Sequence, residues 1–164
     1  MSKLVTAIFH TRSAAEMAVE ELTKAGFAPE DISLLMSETA HGRQFAVSKG
    51  TKVPEGAATG MAVGGVLGAV AAGLAAVGSI TIPGLALVAA GPLVAALAGL
   101  GAGAAAGGLT GALIGLGLPE HEAKFFDKEI QKGGILVGVY AHDDRVKLAR
   151  DVLDSAGAEK VGRA

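Results

Sequence analysis

Gly56-Ala-Ala-Thr-Gly-Met-Ala-Val-Gly-Gly-Val-Leu-Gly68 opens a stretch of 64 residues, Gly56 to Pro119, without a charged side chain. Gly99-Leu-Gly-Ala-Gly-Ala-Ala-Ala-Gly-Gly-Leu-Thr-Gly-Ala-Leu-Ile-Gly115 lies near its end, and 36 of the 64 residues are Gly or Ala. Glycine recurs every fourth residue, at Gly56, Gly60, Gly64 and Gly68, and again at Gly99, Gly103, Gly107, Gly111 and Gly115. Four residues is close to one helical turn, so each set lines one face of a helix. Such a face lets a second helix approach backbone to backbone. In water alone it is a weak helix former, because each interior Gly costs about 1 kcal/mol relative to Ala. The stretch is therefore expected to be helical where a bilayer or a close partner enforces it. These glycines are the candidate packing residues.

Working outward, the flanks read as ordinary charged protein. Residues 1–55 hold 6 basic and 7 acidic side chains, and residues 120–164 hold 8 and 9. Leu4 to Phe9 predicts a strand. Ser13-Ala-Ala-Glu16 reads as a capping box opening a helix, with Met17, Leu22 and Ala25 inward and Gly26 at its end. Ile32 to Met36 predicts a second strand. The C-terminal flank repeats the plan: a strand from Ile135 to Ala141, a helix capped by Asp143 or Asp144 with Leu148, Val152 and Ala156 inward, Gly157 at its end, and a short strand around Val161. This β-α-β pseudo-repeat predicts an α+β, ferredoxin-like sheet. A further helix from Pro119, with Ala123, Phe126 and Ile130 inward and Gly133-Gly134 as its stop, directly precedes the third strand. It leaves a small parallel α/β sheet as the alternative.

The expected organisation is one discontinuous domain, residues 1–55 and 119–164, interrupted by a helical hairpin at 56–118. The hairpin helices, Gly56 to Gly78 and Pro92 to Gly117, are about 35 and 39 Å long, enough for a hydrocarbon core of about 30 Å. Pro83-Gly84 and Gly91-Pro92 bracket the turn between them.

Composition excludes several classes. Cysteine is absent, so disulfides, thiolate metal sites and cysteine nucleophiles are out. A net charge of −2 with no basic run gives no nucleic-acid footprint. The opening apolar run is too short for a secretory signal, so the flanks read as cytoplasmic.

Ile82-Pro-Gly-Leu-Ala-Leu-Val-Ala-Ala-Gly-Pro-Leu93, Gly115-Leu-Gly-Leu-Pro-Glu-His-Glu-Ala-Lys-Phe-Phe126 and Lys132-Gly-Gly-Ile-Leu-Val137 resemble bacterial heat-induced general stress proteins and the low-temperature-induced proteins that share their pattern. Ala25-Gly-Phe-Ala-Pro-Glu-Asp-Ile-Ser33 is similar as well. The resemblance covers nearly the whole chain. It implies a stress-induced, non-enzymatic protein, with no catalytic residue to carry over.

Individual motifs were weighed against simpler explanations. Gly101-Ala-Gly103-Ala-Ala-Ala106 loosely matches a dinucleotide fingerprint, which requires a strand before it and a helix starting at the glycines. The four-residue glycine repeat explains it better. Glu120-His121-Glu122 and His142-Asp143-Asp144 could supply metal ligands, yet acidic residues are expected in first helical turns. His10 and His142 occupy equivalent strand ends in the pseudo-repeat, and His41 falls in a polar loop. No catalytic, cofactor or metal residues are therefore assigned. The expected function is self-assembly through the glycine-zipper hairpin at the cytoplasmic face of a membrane, with other copies and the bilayer as partners. The alternative is a cytoplasmic homo-oligomer that buries the hairpin between subunits. A ligand- or metal-binding domain is the weaker alternative.

Overall fold

The computed structural model describes residues 2–37, 80–82, 87–93, 96 and 102–163. Its elements are β1 (Ser2–Phe9), α1 (Arg12–Lys24), β2 (Ile32–Ser37), β3 (Ile80–Ile82), β4 (Leu87–Ala90), α2 (Ala102–Gly115), α3 (Glu120–Gln131), β5 (Ile135–His142), α4 (Val146–Ser155) and β6 (Lys160–Arg163). The strands form one sheet in the order β3-β4-β2-β5-β1-β6. Every adjacent pair is antiparallel, which corrects the parallel alternative.

Alternate residues of a strand face opposite sides. In β1, Val5, Ala7 and Phe9 enter one core, with α1 and α4; Leu4 and Ile8 enter the other, with α2 and α3. Both faces are covered, so the strand is a continuous apolar run. β5, Ile-Leu-Val-Gly-Val-Tyr-Ala-His, reads the same way and pairs with β1 from Ser2↔His142 to Phe9↔Ile135.

The helices of the first core differ in detail from expectation. Thr11, not Ser13, caps α1, its hydroxyl accepting from the Ala14 N–H at 3.2 Å. Glu16 instead pairs with Arg12 at 2.7 Å. The buried side of α1 is Ala15, Ala18, Val19 and Leu22, and Met17 is 51% exposed. On α4 the buried residues are Val146, Ala149 and Leu153, while Leu148 is 42% exposed. Neither Asp143 nor Asp144 caps α4: Arg145 holds the N-cap position, with no side-chain cap. The Arg145 guanidinium donates to the carbonyls of Ala25 and Gly26, 2.6 and 3.1 Å away, and stacks 4.2 Å from the Phe27 ring. One cation thereby ties the start of α4 to the end of α1.

The second core takes in the described part of the uncharged stretch. Residues 80–82 and 87–90 are strands, and β4 pairs with β2 from Leu34↔Ala90 to Ser37↔Leu87. Gly91 turns the chain off the sheet with φ +88, and a Cβ there would collide with the Ile32 carbonyl. Only glycine tolerates both conditions. The expected helix Pro92 to Gly117 is helical at 92, 93 and 96 and over the 14-residue α2, which non-helical backbone interrupts at Gly108. At about 21 Å α2 is shorter than a hydrocarbon core. Leu109, Ala112, Leu113 and Leu118 pack with Leu93 on Leu4, Ile8, Leu35, Phe126, Ile130 and Leu136. Burying each such large side chain contributes about 1.5–3 kcal/mol. Among the described residues, no helix is long and apolar enough to cross a membrane. The expected first hairpin helix, with Gly56, Gly60, Gly64 and Gly68, lies outside the described residues, as do Gly99 and His41.

Candidate functional site

The glycines of α2 can be placed one by one. Its inward side is Leu109, Ala112 and Leu113, each at most 3% exposed. Beyond the break at Gly108, Gly111, Ile114 and Gly115 recur at i, i+3 and i+4 and so share the opposite face; Gly107 precedes the break. Gly107 and Gly115 are exposed and Gly111 is half-buried. Ile114, the large residue of this face, is 42% exposed. No atom among the described residues lies within 4 Å of where a Cβ on Gly107 would sit. Gly103 lies in the same helix, one turn earlier. The helix is pinned to α3 from its side: Thr110 Oγ1 donates to Asp127 Oδ2 at 2.5 Å, and Gln131 Nε2 holds the other Asp127 oxygen at 2.6 Å. The result is an uncharged surface of Gly111, Ile114 and Gly115 facing away from its own core, with Gly107 exposed before the break.

Among the described residues, neither the Glu120-His121-Glu122 nor the His142-Asp143-Asp144 segment gathers its side chains into a metal-ligating group. Glu120 pairs with Lys124 at 2.5 Å, which holds its carboxyl below the usual range. His121 is exposed, and Glu122 turns over Gly162 and Phe126. Lys3 takes Asp143 at 2.7 Å and lowers that carboxyl in the same way. His142 Nδ1 lies 3.5 Å from the Ser2 hydroxyl. Gly103 to Ala106 lie within a helix, and among the described residues no strand falls between Ala90 and the loose dinucleotide motif.

A different group does assemble. His10 follows β1, Glu129 lies near the end of α3, and Glu159 directly precedes β6. The Glu159 N–H donates to the Ile8 carbonyl at 3.0 Å, which fixes its position beside the end of β1. One donor atom from each side chain lies within 4.8 Å of the other two. His10 Nε2 contacts Glu159 Oε2 and lies 3.7 Å from Glu129 Oε2. The Glu129 side chain is only 8% exposed. Lys132 donates to its other oxygen at 2.9 Å and is the main cause of its lowered pKa. Sequence reading missed this group because its members come from three separated segments. The one available signal was the pseudo-repeat, which puts His10 at a strand end beside the last connection.

No family model, curated protein or solved structure matches this chain.

Proposed function

We propose that this chain is a non-enzymatic, stress-associated protein that works by self-assembly, and that the outer face of α2 is the contact between copies. The observation that carries this reading is the Gly111-Ile114-Gly115 face, uncharged and turned away from the core that the other side of the helix fills, with exposed Gly107 just before the break at Gly108. Small residues permit close backbone approach, and a surface without charge is complementary to itself, as an isologous contact requires. The unit that presents it reads as ferredoxin-like. The antiparallel order β2-β5-β1-β6 supports this, with α1 and α4 as the two crossovers sharing one core.

A second copy suits the face better than a bilayer does. Leu109 and Leu113 are already spent on the sheet, so α2 has no apolar girdle left for lipid. Chain length points the same way. Among the described residues Ser37 and Ile80 both lie on the one sheet, so any membrane crossings between them must be even in number. The uncharged part of that excursion, residues 56–79, is 24 residues long. Each crossing needs about 20, so one crossing fits and two do not.

The test is particle mass by light scattering in detergent-free buffer. Wild-type protein is expected as a discrete oligomer, and Gly107→Leu, whose side chain projects into open space, as a folded protein of lower mass. A wild-type monomer, or an unchanged oligomer in Gly107→Leu and Gly111→Leu alike, would overturn the reading. So would a monomer that sediments with liposomes.

A further inference from the structure

We propose that His10, Glu129 and Glu159 form a binding site for a divalent first-row metal ion, with zinc the best match. The donor set is one imidazole and two carboxylates, drawn from the end of β1, from α3 and from the start of β6. Imidazole selects transition ions over magnesium and calcium, and zinc accepts nitrogen and oxygen donors together.

The geometry fits such an ion. Zinc–nitrogen and zinc–oxygen bonds of about 2.0–2.2 Å put neighbouring donors of a tetrahedral site roughly 3.4 Å apart. His10 Nε2 and Glu129 Oε2 are separated by 3.7 Å, beyond hydrogen-bonding range yet close to that spacing. All three donor atoms fall within 4.8 Å of one another, and His10 Nε2 and Glu159 Oε2, in direct contact, separate by side-chain rotation to admit the ion. Three protein ligands leave a fourth position for water.

Glu129 is a nearly buried carboxylate whose Oε2 turns toward His10 while Lys132 pairs with Oε1, which keeps the carboxylate ionised and leaves Oε2 aimed at the other two donors. Lys132 also fixes the orientation of the ligand, a role outer-shell partners play at metal sites. The other two ligands are half-exposed, at 48% and 44% of their side chains, which leaves a path for the ion. Without an ion, the alternative is a side-chain hydrogen bond between His10 and Glu159.

Zinc titration of the metal-stripped full chain separates these, read by calorimetry and by melting temperature. One zinc per chain is expected, with a melting temperature that rises with zinc concentration, as ligand linkage requires. His10→Gln and Glu159→Gln, at exposed positions, should each weaken binding about tenfold or more and lose the thermal shift. His121→Gln and His142→Gln should bind as wild type does. Absence of saturable zinc binding by the wild type would overturn the site, as would equal binding by His10→Gln and wild type. This outcome is independent of particle mass, so the assembly reading stands or falls separately.

Discussion

The backbone N–H of Leu93 donates to the buried hydroxyl of Ser33 at 3.1 Å, joining residues sixty positions apart. Ser33 sits in the middle of β2, and Leu93 follows the Gly91 turn that leaves β4. The uncharged stretch is therefore fastened to the sheet by a hydrogen bond as well as by the β4 ladder. Its return leg belongs to the core of the flanking domain.

Ser33→Ala should leave the buried Leu93 N–H without a partner and destabilise the protein by about 1–3 kcal/mol. Thr6 supplies the contrast. Both residues pair across Gly138, both are fully buried, and Thr6 Oγ1 has no hydrogen-bond partner among the described residues. Thr6→Val should be neutral or stabilising, because no hydrogen bond is lost. Urea unfolding of both variants measures the difference, and equal losses would contradict it.

Adjacent positions of α2 should have opposite effects. Leu113 is fully buried against the sheet, so Leu113→Ala should cost about 2–5 kcal/mol of stability. Ile114 points outward, so Ile114→Ala should change stability by less than about 0.5 kcal/mol while weakening self-association. Thermal melting combined with light scattering reads the two effects in one experiment.

Tyr140 is the single tyrosine of the chain, which also lacks tryptophan, so its ionisation can be followed directly by phenolate absorbance. Burial pushes its pKa above the ordinary value of about 10. The fold favours the neutral phenol. Its contribution to stability is fully present below the unfolded-state pKa and is lost as pH rises through the higher folded value. The titration midpoint should lie above that of the denatured chain, and Tyr140→Phe should flatten the alkaline loss of stability. Coincident native and denatured midpoints would contradict this.

Much of the architecture was legible where backbone chemistry is local. Gly26, Gly133 and Gly157 all adopt positive φ at helix ends, where the sequence put them. The inward side of α3 was read correctly at Ala123, Phe126 and Ile130. The rotational setting of α1 and α4 was read in part, with Leu22 and Ala156 buried as expected and Met17 and Leu148 not, because alanines face the sheet there. Ala15, Ala18 and Ala149 let the helices sit close, and Met17 and Leu148 point outward although they are larger. Ile80–Ile82 and Leu87–Ala90 were missed because three or four apolar residues fit a helix or a strand equally well. Pairing with the edge of β2 decides between them, and that information is not local. The His10, Glu129 and Glu159 group depends on the same long-range topology.

The central claim is that copies meet through the outer face of α2, and cysteine crosslinking tests it most directly. The natural chain has no cysteine, so Gly107→Cys and Gly115→Cys each introduce a unique thiol on that face. Asp154→Cys places one on an exposed position of α4 as a control. A short bismaleimide at low protein concentration should give covalent dimers from at least one of the α2 variants and none from the control. Crosslinking of neither α2 variant, or equal crosslinking of the α4 control, would contradict the account.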